Sequence, residues 1–139
     1  MTARAPEQDV ALLLQTAGLG NFNQTGTATI KCGPPRATVE PGAGPVQLYV
    51  DASGGPPPAP YFNAAGSYYS TNIQAVVRAA ADSFGAGLAL ARQVREALHT
   101  HAPATYSGCW ANESEPNRLG ANDSGQWEFT VNFTLTWVA

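Results

Sequence analysis

Charge is what this chain has least of. Only 12% of its 139 residues are Asp, Glu, Lys or Arg, and Lys31 is the single lysine. An ordinary globular domain carries roughly 25%. Seven basic residues against ten acidic ones leave a net charge of −3. That is too little positive charge, spread too thinly, for the electrostatic footprint of nucleic-acid binding. There is no basic amphipathic segment to lie on a membrane, and no apolar run approaches the about 18–20 residues of a transmembrane helix. Met1–Asp9 lacks the basic-then-apolar order of a secretion signal, so an unsecreted chain is expected. Cys32 and Cys109 stand far apart with no CxxC, which argues against zinc and for free, partly buried thiols.

Ala, Gly, Pro, Ser, Thr and Asn fill the place of the missing charge. Hydrophobic content is 44%, and a chain of this length reads as one domain, residues 1–139, with a core of its own. A weakly charged surface on a small protein favours self-association.

Residues 6–18 predict a helix. Pro6 opens it, Glu7 and Asp9 suit its positive end, and Val10, Leu13, Leu14 and Ala17 form an apolar stripe. Thr27–Lys31 reads as a short strand, Cys32–Pro45 as a turn-rich connection and Val46–Asp51 as an alternating strand. Asn72–Ala80 reads as a third strand. A long helix follows from Asp82 or Ser83 to about His99, with Phe84, Leu88, Ala91, Val94 and Leu98 on one face and Arg92 paired with Glu96. Gly85 and Gly87 weaken that helix and imply close approach to a neighbour. Thr105–Ala111 reads as a strand. Trp127, Phe129, Val131, Phe133, Leu135 and Trp137 alternate with Glu, Thr and Asn in a long final strand with one aromatic side. The predicted class is α+β: a mixed, largely antiparallel sheet with two helices on one face, plus a long extended loop.

That loop is Ala52–Thr71, with Gly54, Gly55, Pro56, Pro57, Pro58 and Pro60 followed by Tyr61, Phe62, Tyr68 and Tyr69. Aperiodic segments of this length are uncommon in compact domains, and four aromatics favour ordering against a partner. A second, polar loop is expected over Asn112–Gly125, carrying Arg118 and Asp123. Arg78, on the polar side of an apolar strand, reads either as an edge arginine paired with a local carboxylate or as an inter-subunit contact.

Catalytic patterns are thin. His99 and His101 are two apart at a helix end and share no face as metal ligands. Cys109 with a histidine and Asp123 is the one nucleophilic combination, but its flanks Gly108 and Trp110 place it in a strand. Glu113 and Glu115 read as solvated loop carboxylates, and Gly18-Leu19-Gly20 lacks the context of a phosphate-binding turn. Four glycosylation-like triplets begin at Asn23, Asn112, Asn122 and Asn132; without a secretion signal they read as Asn/Ser/Thr standing in for charge. No cofactor is expected.

Four stretches in order carry a likeness. They are Val10–Gly18 (VALLLQTAG), Val46–Pro58 (VQLYVDASGGPPP), Asn72–Ala79 with the helix Leu88–Leu98, and Leu119–Leu135 (LGANDSGQWEFTVNFTL). Together the chain resembles the tail terminator, or "minor capsid", proteins of phages with long non-contractile tails. The resemblance implies a structural protein rather than an enzyme. It implies a homo-oligomeric ring, hexameric in the family, that caps the tail tube and stops its polymerisation. Partners would be the tail tube protein and a head-completion or neck protein, with no membrane and no nucleic-acid specificity. The location would be the tail–neck junction of the virion, after a stay in the host cytoplasm. Under this reading the two loops meet tube or neck, while sheet edges and Arg78 join neighbouring protomers. A neck connector and a small Cys109 hydrolase are the alternatives.

Overall fold

The computed structural model describes residues 5–22, 29–34, 46–60, 66–103, 105–122 and 125–138. Expectations falling on Tyr61, Phe62, Asp123, Thr27 and the Asn23 triplet lie outside these residues. The elements in chain order are α1 (Pro6–Thr16), β1 (Ile30–Cys32), β2 (Val46–Ala52), β3 (Ala59–Pro60), β4 (Ser67–Ala79), α2 (Phe84–Leu98), β5 (Gly108–Ala111), β6 (Asn117–Ala121) and β7 (Trp127–Val138).

The strands make one seven-stranded sheet, ordered β1-β2-β4-β7-β5, with β3 on β4 and β6 on β7. Among the described strands β1–β2 is the parallel pair, and the other pairings between them are antiparallel. β4 and β7 form the spine, paired without a break from Tyr68–Val138 to Ala79–Trp127. The α+β class with two helices and a mostly antiparallel sheet is therefore as expected.

Alternation sends Leu48, Val50, Ile73, Ala75, Val77, Phe129, Val131, Phe133 and Leu135 to one face, where they form a single buried cluster with both helices. α1 contributes Val10, Ala11 and Leu14, and α2 contributes Ala91, Val94 and Leu98. α1 ends two residues before the predicted Gly18, and Ala17 is an exposed C-cap rather than part of the stripe. Gly87 explains itself: a Cβ there would lie 2.6 Å from that of Ala79 and 2.9 Å from the Phe129 ring, so α2 sits directly on the spine. Gly85 meets nothing within 4 Å, so close approach does not account for it.

Two predicted loops are in part strand. β4 starts at Ser67, so Tyr68 and Tyr69 belong to the sheet, and β3 adds to its edge. The polar loop holds β6, which pairs residues 127–130 of β7 while β5 pairs 133–136. Local composition argued against strands there, but an open stretch of β7 edge supplied the partner. Tertiary context outweighed propensity.

Candidate functional site

The sheet face turned away from the helices divides into two unlike halves. At one end the register aligns Gln47, Arg78 and Glu128, then Tyr49, Val76 and Thr130. All but Glu128 are buried. Arg78 Nη2 lies 3.2 Å from Glu128 Oε2, and the guanidinium sits 5.6 Å from the centre of the Tyr49 ring, whose hydroxyl donates to Gln47 at 2.9 Å. Arg78 is thus not at an edge. It stands on an interior strand, and partners within its own chain occupy it.

The other half carries rows Asn72–Thr134–Trp110, Ser70–Thr136–Gly108 and Tyr68–Val138, with no charged residue among them. Trp110 is 41% exposed, Tyr68 38% and Val138 53%. Beside this half the segment Ser53–Ala59 runs exposed along β4. Ser53 N–H donates to Asn72 O at 2.9 Å, Asn72 N–H donates to Gly54 O at 2.8 Å, and the Thr71 hydroxyl also donates to Gly54 O. Gly54 has φ +79°, and a Cβ on Gly55 would fall 2.2 Å from Ser70 O. Both glycines are what this close, kinked path requires. Pro56, Pro57 and Pro58 then project as an exposed arm. Tyr69 leaves this surface: it is on the helix face, stacked on Trp137 at 5.4 Å and 8°, with Tyr106 edge-on to the same indole at 5.6 Å.

The Thr/Asn side of β7 is largely used internally. Thr130 and Thr136 are buried. Between β5 and β6 the Glu113 carboxylate closes the gap in the ladder, accepting Asn132 N–H at 3.2 Å, Asn132 Nδ2 at 2.6 Å and Asn117 Nδ2 at 3.1 Å. Gln74 Nε2 donates to Asn132 Oδ1 from the other side at 3.1 Å. Glu113 is therefore not a solvated loop carboxylate. Glu113 directly follows Asn112, whose N–H donates to Asn132 O at 2.8 Å, and only the fold shows that this brings its carboxylate to β7. Arg92 pairs with Glu115 at 3.1 Å rather than with Glu96.

Nucleophilic chemistry finds no support. Cys109 is buried, and burial pushes its thiol up to about 11. Cys32 is half-buried and pushed up to about 12, chiefly by burial and then by Glu7 and Asp51. Both are free thiols. His99 Nδ1 accepts the Ala111 N–H at 3.0 Å, and His101 Nδ1 lies 2.8 Å from the His99 carbonyl. His99 is a structural strut between α2 and β5. Among the described residues no three His, Cys, Asp or Glu come together to hold a metal, and no helix is long and apolar enough to cross a membrane. An open cleft of about 820 Å³ lies beside α1; apolar Leu12, Leu13 and Ala102 line it together with Asp9, Thr16 and His101.

What the surface offers is an uncharged, aromatic-bearing half of the sheet face with an exposed proline arm beside it. No curated protein matches the chain. The family model for bacteriophage tail terminator proteins matches residues 13–138, which take in the last turn of α1, all of α2 and every strand described. The chain belongs to the bacteriophage tail terminator family, whose members are structural proteins of the phage tail rather than enzymes.

Proposed function

We propose that this protein assembles as a ring, hexameric as the family resemblance implies, on the end of the finished tail tube. There it stops addition of tube subunits and presents a surface to the head or neck. The observation that carries this reading is the uncharged half-face with Trp110, Tyr68 and Val138 exposed beside the Gly54–Pro58 arm. Exposed aromatics without charge are the composition of interface cores rather than of ordinary surface. A ring needs heterologous contacts, in which one patch of a protomer meets a different patch of the next.

Ring closure on a tube end also fits the energetics. Each protomer–tube contact is weak alone because fixing a subunit on the tube end costs translational and rotational freedom. A tube end presents several sites at once, and multivalency makes the collective cap tight.

The test is complementation. Cells infected by a terminator-deficient phage receive the parent protein or a variant lacking Pro56–Pro60, and tails are measured by electron microscopy. The parent is expected to give tails of defined length joined to heads, and the deletion to give overlong or headless tails. Normal tails from the deletion variant exclude the arm from this role. Uncapped tails from the parent overturn the terminator reading itself.

A further inference from the structure

An open sheet edge accepts further strands unless something covers it, and this sheet treats its edges unequally. On β1, Ile30 N–H donates to Asn21 O at 3.0 Å and Phe22 bridges to Ile30. On β5, Thr100 N–H donates to Cys109 O at 2.8 Å and Ala111 N–H to His99 Nδ1 at 3.0 Å. Both edges are closed within the chain.

The edge along the arm is blunted differently. Asn72 exchanges hydrogen bonds with Ser53 and Gly54, so alternation turns Ala59 inward to its partner Tyr68 and leaves Pro58 and Pro60 outward. Proline offers no N–H, so this edge presents carbonyl acceptors alone.

β6 is the remaining edge. Asn112 N–H donates to Asn132 O and Ser107 N–H to Thr136 O, both at 2.8 Å, so the even-numbered residues of β7 face β5 and β6. Thr130 therefore shares the ladder with Asn117, and the N–H of Arg118 points away from the sheet. Outside the strand ladders no backbone carbonyl among the described residues accepts it. The next residue, Leu119, is extruded by a bulge and is 60% exposed. The Arg118 guanidinium lies over the Phe84 ring, 6.0 Å from its centre.

We propose that the Ser53–Ala59 arm of one copy lies along the β6 edge of the next copy in the ring. The two surfaces are on opposite sides of the same sheet, as a head-to-tail contact needs. Their chemistry is complementary: the arm holds carbonyls without donors at its outward positions, and β6 holds the Arg118 N–H and guanidinium. Leu119 gives the proline rings an apolar seat. A proline arm is already extended, so docking it costs little conformational entropy. This inference rests on the ring reading above and names its contact.

Tails from infections complemented with Pro57→Cys, Leu119→Cys or the double variant are oxidised and run without reducing agent. The expected result is a ladder of multimers from the double variant and nothing above the parent's background from either single variant. Tails that carry several copies but give no ladder overturn the contact and leave the ring intact. Dimers from Leu119→Cys alone also overturn it, since they mean two β6 edges pair with each other. A single copy per tail removes the ring reading and the contact with it. Arg118→Pro deletes the outward N–H and the guanidinium while sparing the inward ladder. It is expected to lower ring incorporation by at least about tenfold, the size of one lost hydrogen bond, with a thermal midpoint lowered by no more than a few degrees for the lost contact with Phe84. Full incorporation of Arg118→Pro overturns the proposal.

Discussion

Arg78 and Glu128 face each other across the two central strands of the sheet, joined at 3.2 Å on the side no helix covers. Burying an ion pair adds little net stability, but removing one partner strands the other. Arg78→Ala is expected to cost about 3–5 kcal/mol, read from urea unfolding, and the double variant Arg78→Met/Glu128→Leu to recover most of it. Unchanged stability with lost ring assembly is the opposite outcome; it assigns Arg78 to the subunit contact instead.

Glu113 substitutes for a strand at the gap between β5 and β6. Glu113→Ala leaves the Asn132 N–H and amide without their acceptor, at a cost of about 1–3 kcal/mol. Amide exchange at Asn132 is expected to quicken along with the fall in stability. Glu115→Ala, which loses only an exposed pair with Arg92, is expected to change stability by less than about 1 kcal/mol.

Gly55→Ala drives a methyl group into the Ser70 carbonyl, and the arm has to leave its track. Because the core lies on the other side of the sheet, the thermal midpoint is expected to fall only a few degrees, about 1–2 kcal/mol. Tail-length control in complementation is expected to fail far more severely. A variant with normal tails shows that the arm's path does not matter.

The two thiols set a limit at alkaline pH. Both are held protonated in the fold, Cys32 up to about 12 and Cys109 up to about 11, against an ordinary value of 9.0. Above pH 9 the unfolded chain loses these protons while the folded one keeps them, so stability falls as pH rises through 9 towards 12. The contribution is fully present below pH 9. Urea midpoints across this range are expected to decline in the parent and to decline less in Cys32→Ser/Cys109→Ala. The same variant is expected to retain tail-capping function, which an active-site thiol does not allow.

Much of this molecule was legible in its sequence. The alternation of Trp127–Trp137 and of Val46–Asp51, and the apolar stripe of α2, specified elements because each carries its own periodicity. The scarcity of charge pointed to surfaces made for contact. Pairing partners were not legible. Only the tertiary structure made Tyr68 and Tyr69 strand residues, since β7 runs long enough to pair them. It also turned Arg78 inward, set Glu113 into the gap of a ladder and raised β6 out of a polar loop. Each depends on which main-chain or side-chain partner the fold brings alongside, up to 70 residues away for Tyr68 and Val138. Local propensity carries the period of an element; it does not carry which edge that element completes.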